Sequence, residues 1–86
     1  MRIETRGFDI YVTFDEVDFQ RILENGKYAW REAIDAIKKE FPFPDGKYDG
    51  ETKQWIITTA PGNREKLSQI KREFFQDKNQ IVADIF

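Results

Sequence analysis

Apolar residues recur along this chain with two different periods. In Phe8-Asp9-Ile10-Tyr11-Val12-Thr13-Phe14 the alternation places Phe8, Ile10, Val12 and Phe14 on one face of a strand and Asp9, Tyr11 and Thr13 on the other. Arg2-Ile3-Glu4-Thr5 and a turn at Arg6-Gly7 complete a predicted hairpin. The period then lengthens. Asp15 stands where an N-cap belongs, Glu16 and Asp18 put acid in a first turn, and Phe19, Ile22 and Leu23 form a buried stripe of a short helix over 16–24, stopped by Asn25-Gly26. Trp30, Ala33, Ile34 and Ile37, extended by Phe41, predict a second helix over 28–40, with Trp30 read as a core residue. Its other face carries Arg31, Glu32, Asp35, Lys38 and Lys39, with the acids spaced to meet the lysines. Phe41-Pro42-Phe43-Pro44 ends that helix, because each proline moves the preceding residue out of the α region.

The next stretch reads as a second hairpin. Tyr48-Asp49 enters, Gly50-Glu51-Thr52-Lys53 turns, and Gln54-Trp55-Ile56-Ile57-Thr58-Thr59 leaves with aromatic and β-branched residues, so that Tyr48 lies across from Trp55. Pro61 suits a first helical turn, and Leu67, Ile70 and Phe74 give the buried side of a helix over 62–76. Asp77-Lys78-Asn79 breaks it, and Gln80–Phe86 reads as a final strand. The order ββααββαβ predicts one α+β domain over 1–86, an antiparallel sheet covered by two or three helices.

Composition narrows the chemistry. The 86 residues include 40% hydrophobic and 15% aromatic residues, enough to fold without staples, and neither cysteine nor histidine. Disulfides, thiolate metal sites, the commonest general base and the commonest metal ligand are thereby excluded together. No phosphate loop or nucleophile elbow occurs, since Pro61-Gly62-Asn63-Arg64-Glu65-Lys66 lacks the second glycine and the closing Gly-Lys-Ser/Thr. Asp15, Glu16 and Asp18 read as capping acids, and Asp45-Gly46 and Asp49-Gly50 as turns. The expectation is a non-enzyme with no cofactor and no metal. Met1 leads into Arg2-Ile3-Glu4-Thr5 without an apolar leader, and no apolar run nears the roughly 18 residues of a membrane span. A soluble cytoplasmic protein with no membrane partner is expected.

Fourteen basic against sixteen acidic side chains give a net charge of −2, which argues against a strongly electrostatic nucleic-acid binder but leaves room for a local basic face. Such a face has candidates in Lys47, Lys53, Arg64, Lys66, Lys71 and Arg72. Two placements are open for Tyr48 and Trp55: both rings packed on the buried face, or at least one on the open face, stacking on a base while lysines meet phosphates. Tyr11, opposite the apolar side of its strand, is expected to be exposed.

Pro44-Asp45-Gly46-Lys47-Tyr48-Asp49-Gly50-Glu51-Thr52-Lys53-Gln54-Trp55 resembles the signature P-G-x-(K/R)-W-D-x-x-x-K-x-W of the HARP-type module that stands beside the motor of annealing helicases and in related DNA-processing proteins. The strand Tyr11–Asp15 and the helix Leu67–Phe74 stand where that module has its flanking strand and helix. Tyr48 replaces the first Trp, Asp45 is inserted after Pro44, and the 28–40 helix is longer than the pattern. The resemblance implies binding of single-stranded or structured DNA, with the motor supplied elsewhere, through Lys47, Tyr48, Lys53 and Trp55. The expected function is therefore a small nucleic-acid-binding accessory module, with Arg64, Lys66, Lys71 and Arg72 adding phosphate contacts. The alternative is a protein-interaction or regulatory protein, pairing with itself through residues 80–86 or docking exposed aromatics on a partner.

Overall fold

Two hairpins meet in the middle of one sheet. The computed structural model describes residues 1–75. Within them β1 (Arg2–Arg6), β2 (Asp9–Thr13), β3 (Gly46–Asp49) and β4 (Gln54–Thr58) form an antiparallel sheet of four strands in the order β1-β2-β4-β3. Helices α1 (Glu16–Gln20) and α2 (Ala29–Glu40) connect the hairpins, and α3 (Asn63–Phe75) follows the second. This is a small α+β fold, and its order agrees with the expected one as far as Phe75. The expected strand at 80–86 lies outside the described residues.

The alternation in β2 and β4 decides which face the helices cover. Ile10 stands opposite Ile57 and Val12 opposite Trp55, so these four side chains share one face, and all are buried. Ala33 and Ile37 of α2 and Leu67 and Ile70 of α3 pack onto them, joined by Met1 and Phe41. Full burial of each large aliphatic side chain is worth about 1.5–3 kcal/mol. The opposite face carries Tyr11 and Ile56, again directly paired. Tyr11 is only half-exposed there, with the Arg6 guanidinium 4.8 Å above its ring.

Several local expectations are corrected. Phe8 does not share the core face of β2: it sits in the Gly7-Phe8 turn and is 90% exposed, because β1 extends through Arg6 and moves the turn by one residue. The first helix ends at Gln20 instead of 24, and Phe19 and Ile22 are exposed, not buried. Backbone bonds from Leu23 to Lys27 and from Ala29 to Arg21 take the chain around a tight loop in place of further helical turns. In α2 the buried stripe is Ala29, Ala33 and Ile37, which leaves Trp30 and Ile34 half-buried on its flank. Glu32 pairs with Lys27 rather than with the lysines at the helix end. Pro61 and Gly62 form a turn, and α3 begins at Asn63, whose side-chain amide donates to the Thr58 carbonyl at 2.9 Å.

A glycine fixes where β3 meets the end of α2. A Cβ added at Gly46 would lie 2.5 Å from the Phe41 carbonyl oxygen and 2.9 Å from its Cβ, so any side chain there forces the backbones apart. Phe41 itself is buried, and its N–H closes α2 by donating to Ile37 O at 2.8 Å. Gly46→Ala is expected to destabilise the protein by about 1–3 kcal/mol in urea unfolding, as overpacked sites do. Gly50→Ala, with nothing within 4 Å and no positive φ, is expected to be neutral or slightly stabilising. Equal effects at the two positions would contradict this account of the β3 contact.

Candidate aromatic groove

The second hairpin forms as its residues dictate. Tyr48 pairs with Trp55 across β3 and β4, and the turn occupies Gly50 to Lys53. Asp49 holds that turn by accepting the Glu51 N–H at 3.0 Å. This bond, with the Thr52 side chain adding to it, lowers the Asp49 pKa from the ordinary aspartate value. The charged form is thereby favoured in the fold, so its contribution is present at neutral pH and lost as pH falls through the lowered value.

Pairing across antiparallel strands puts Tyr48 and Trp55 on the same face, the one that carries the helices. Their rings lie 5.5 Å apart at 53°. They differ in depth. Trp55 is in a central strand and 9% exposed, whereas Tyr48 is on the edge strand and 53% exposed. Both rings are thus on the covered face and neither on the open one, while Tyr48 keeps access to solvent.

A second aromatic cluster lines the same groove as this pair. Phe19 of α1 meets Trp30 of α2 edge to face with centroids 5.5 Å apart, and Phe14, just after β2, lies 6.4 Å from Phe19. Both clusters line one groove of about 440 Å³, together with Ile34, Lys38 and Lys53. Its size falls in the lower range of small-ligand sites, and its lining is mainly apolar with few polar groups, as such sites commonly are. Among the described residues no carboxylate lines it and neither lysine has an ion-pair partner.

Two features of the groove are energetically unfavourable for a fold alone. Lys53 adopts φ 56°, in the left-handed region that costs a residue with a Cβ about 1–2 kcal/mol. The Trp55 Nε1–H is buried without an acceptor among the described residues, a state that costs about 1–3 kcal/mol.

Of the eight residues singled out in the sequence, the structure brings together three: Tyr48, Lys53 and Trp55 line the groove. Lys47 is paired with Ile56 and belongs to the opposite face of the sheet. The basic residues of α3 do not line it. Arg64 donates to Thr5 Oγ1 at 2.7 Å, Lys66 lies 4.0 Å from Glu40, Arg72 lies 3.7 Å from Glu65, and Lys71 is exposed. The sequence reading missed Phe14, Phe19, Trp30, Ile34 and Lys38 as groove residues. The spacing of Trp30, Ile34 and Lys38 held the signal: at four-residue intervals they form one helical stripe beside the buried Ala29, Ala33 and Ile37.

No family model, curated protein or solved structure matches the chain. Among the described residues no helix is long and apolar enough to cross a membrane.

Lys53→Gly is expected to leave stability unchanged or raise it by up to about 1 kcal/mol, because relief of the left-handed strain slightly exceeds the added freedom of the unfolded chain. A clear loss in chemical denaturation would contradict it. In an NMR pH titration the Asp49 carboxyl is expected to change state below the ordinary aspartate range, with Asp49→Ala removing that acid-sensitive part of stability. A midpoint within the ordinary range would contradict the turn bond.

Proposed function

We propose that this chain is a non-enzymatic binding module that holds an unpaired nucleobase of single-stranded or structured DNA in the aromatic groove. The observation that carries this reading is one groove lined by two aromatic clusters together with two lysines that have no carboxylate partner among the described residues. Every base offers a π-face to such clusters, and stacking on one aromatic ring is worth about 1–3 kcal/mol per base. Lys38 and Lys53 meet the neighbouring phosphates. An overall charge of −2 suits a local contact of this kind better than a long electrostatic track.

The HARP-type resemblance supports the same ligand class. Tyr48, Lys53 and Trp55 belong both to that signature and to the groove lining. In this reading any motor activity is supplied by another chain or domain, and Lys47, Arg64, Lys66, Lys71 and Arg72 make at most peripheral contacts. A second reading is favoured by the edge position of β3 beside the groove: an extended segment of a protein partner pairs with β3 and places a side chain against Tyr48.

Fluorescence anisotropy with labelled single-stranded DNA at two salt concentrations tests the proposal. The double variant Lys38→Glu with Lys53→Glu is expected to weaken binding at least about tenfold and to flatten the salt dependence by about 1.4 in the log–log slope, the share of two phosphate contacts. Lys47→Glu, on the other sheet face, is expected to change affinity little. Absence of binding by the native protein, or unchanged affinity in a folded double variant, overturns the proposal.

A further inference from the structure

Among the described residues, the outer side of β3 meets no other strand. The Thr58 N–H donates to the Asp45 carbonyl at 3.0 Å, so the alternation of an antiparallel ladder turns the backbone groups of Lys47 and Asp49 toward β4 and those of Gly46 and Tyr48 outward. Tyr48 therefore presents a free N–H and C=O at the edge of the sheet. On the open face the side chains of Lys47 and Asp49 stand two residues apart, one positive and one negative. Lys47 is exposed and has no ion pair among the described residues.

We infer that β3 pairs with β3 of a second copy of this chain, antiparallel and about a two-fold axis through Tyr48, joining two four-stranded sheets edge to edge. The register follows from charge and backbone direction. A symmetric pair centred on Lys47 or on Asp49 would set like charges directly opposite, which is destabilising. One centred on Gly46 would set Tyr48 against Pro44, which has no N–H to give. Centring on Tyr48 exchanges two hydrogen bonds between the two Tyr48 residues and sets each Lys47 opposite Asp49 of the other copy. The other sheet edge has less to gain, because in β1 Arg6 already pairs with Glu4, and Arg2 with Asp15, within one chain. The axis stands perpendicular to the sheet, so the helices and grooves of both copies lie on one side of it. With four residues in each β3, the contact is small, and a weak dimer that forms with rising concentration is expected. This goes beyond the proposed function and needs no nucleic acid.

Translational diffusion of the protein alone, followed by NMR up to about 1 mM, reads the association. An isotope-filtered NOE experiment on mixed ¹³C-labelled and unlabelled chains reads the register. A dimer is expected, with an intermolecular contact between Hα of Lys47 and Hα of Asp49, a non-hydrogen-bonded pair with Cα atoms about 4.5 Å apart. Lys47→Glu is expected to weaken the dimer at least about tenfold, because two attractive pairs become repulsive. Asp49→Lys is expected to weaken it likewise, and mixing the two variants is expected to restore association as a mixed dimer. If Asp49→Lys does not fold, the NOE on the native protein decides the register. Protein that stays monomeric at the highest concentration, a dimer joined through other residues, or one that folded Lys47→Glu leaves unchanged overturns the inference. Failure to bind DNA removes only the proposed function.

Discussion

The pairing of β2 with β4 is the constraint on which the rest of this structure depends. It joins strands separated in sequence by two helices and a further strand, and its register places Ile10 against Ile57 and Val12 against Trp55. A slip of β4 by one residue would turn Trp55 and Ile57 to the opposite face from Ile10 and Val12 and break up the surface on which α2 and α3 pack. The complete or near-complete burial of these four side chains makes that slip costly, so the hydrophobic pattern itself fixes the register. The same register puts Trp55 at the margin of the core, where one side of the indole meets buried aliphatic groups and another meets the groove. Edge strand β3 then carries Tyr48 to the rim.

The groove arises from what so short a chain leaves uncovered. Helix α1 has only five residues and buries none of them fully, so Phe19 leans on Trp30 without sealing it from solvent. Helix α2 uses its smallest apolar residues, Ala29 and Ala33, to approach the sheet, and the larger Trp30 and Ile34 stand to the side. Aromatic surface accumulates along one flank. The left-handed Lys53 and Trp55, whose indole N–H has no acceptor among the described residues, both line this groove, and each sets a cost against folding that a better-suited residue or partner would avoid. Unfavourable local geometry gathered at one place motivates a functional reading of that place.

Most of the architecture was legible in the sequence because it rests on short-range rules. The period-two pattern of Ile10 and Val12, the prolines after Phe41 and the four-residue turn before Gln54 each specify their own element, and together they gave the element order and the Tyr48–Trp55 pairing. What was not legible depended on contacts between elements. Phe8 continues the alternation of β2, yet the turn that decides its fate is set by how far β1 pairs. Phe19, Ile22 and Leu23 carry helical spacing, but a helix over 16–24 gives way to tertiary backbone bonds that draw the chain back toward Ala29. The candidate site was half legible. Tyr48, Lys53 and Trp55 stand close together in the chain, whereas Phe14, Phe19, Trp30 and Lys38 reach the groove only through the packing of three other segments. Lys47 shows the reverse: adjacent to Tyr48 in sequence, it belongs to the opposite face of the sheet because side chains alternate.

The most direct test of the account is a map of amide and indole chemical shifts in the ¹⁵N-labelled protein as short oligothymidylate is added. The account predicts that the indole N–H signals of both Trp30 and Trp55 and the amides of Tyr48 and Lys53 move together and saturably, while those of Tyr11 and Lys47 on the opposite face of the sheet stay in place. Shifts concentrated on that opposite face or along α3, with both indole signals unmoved, would contradict it.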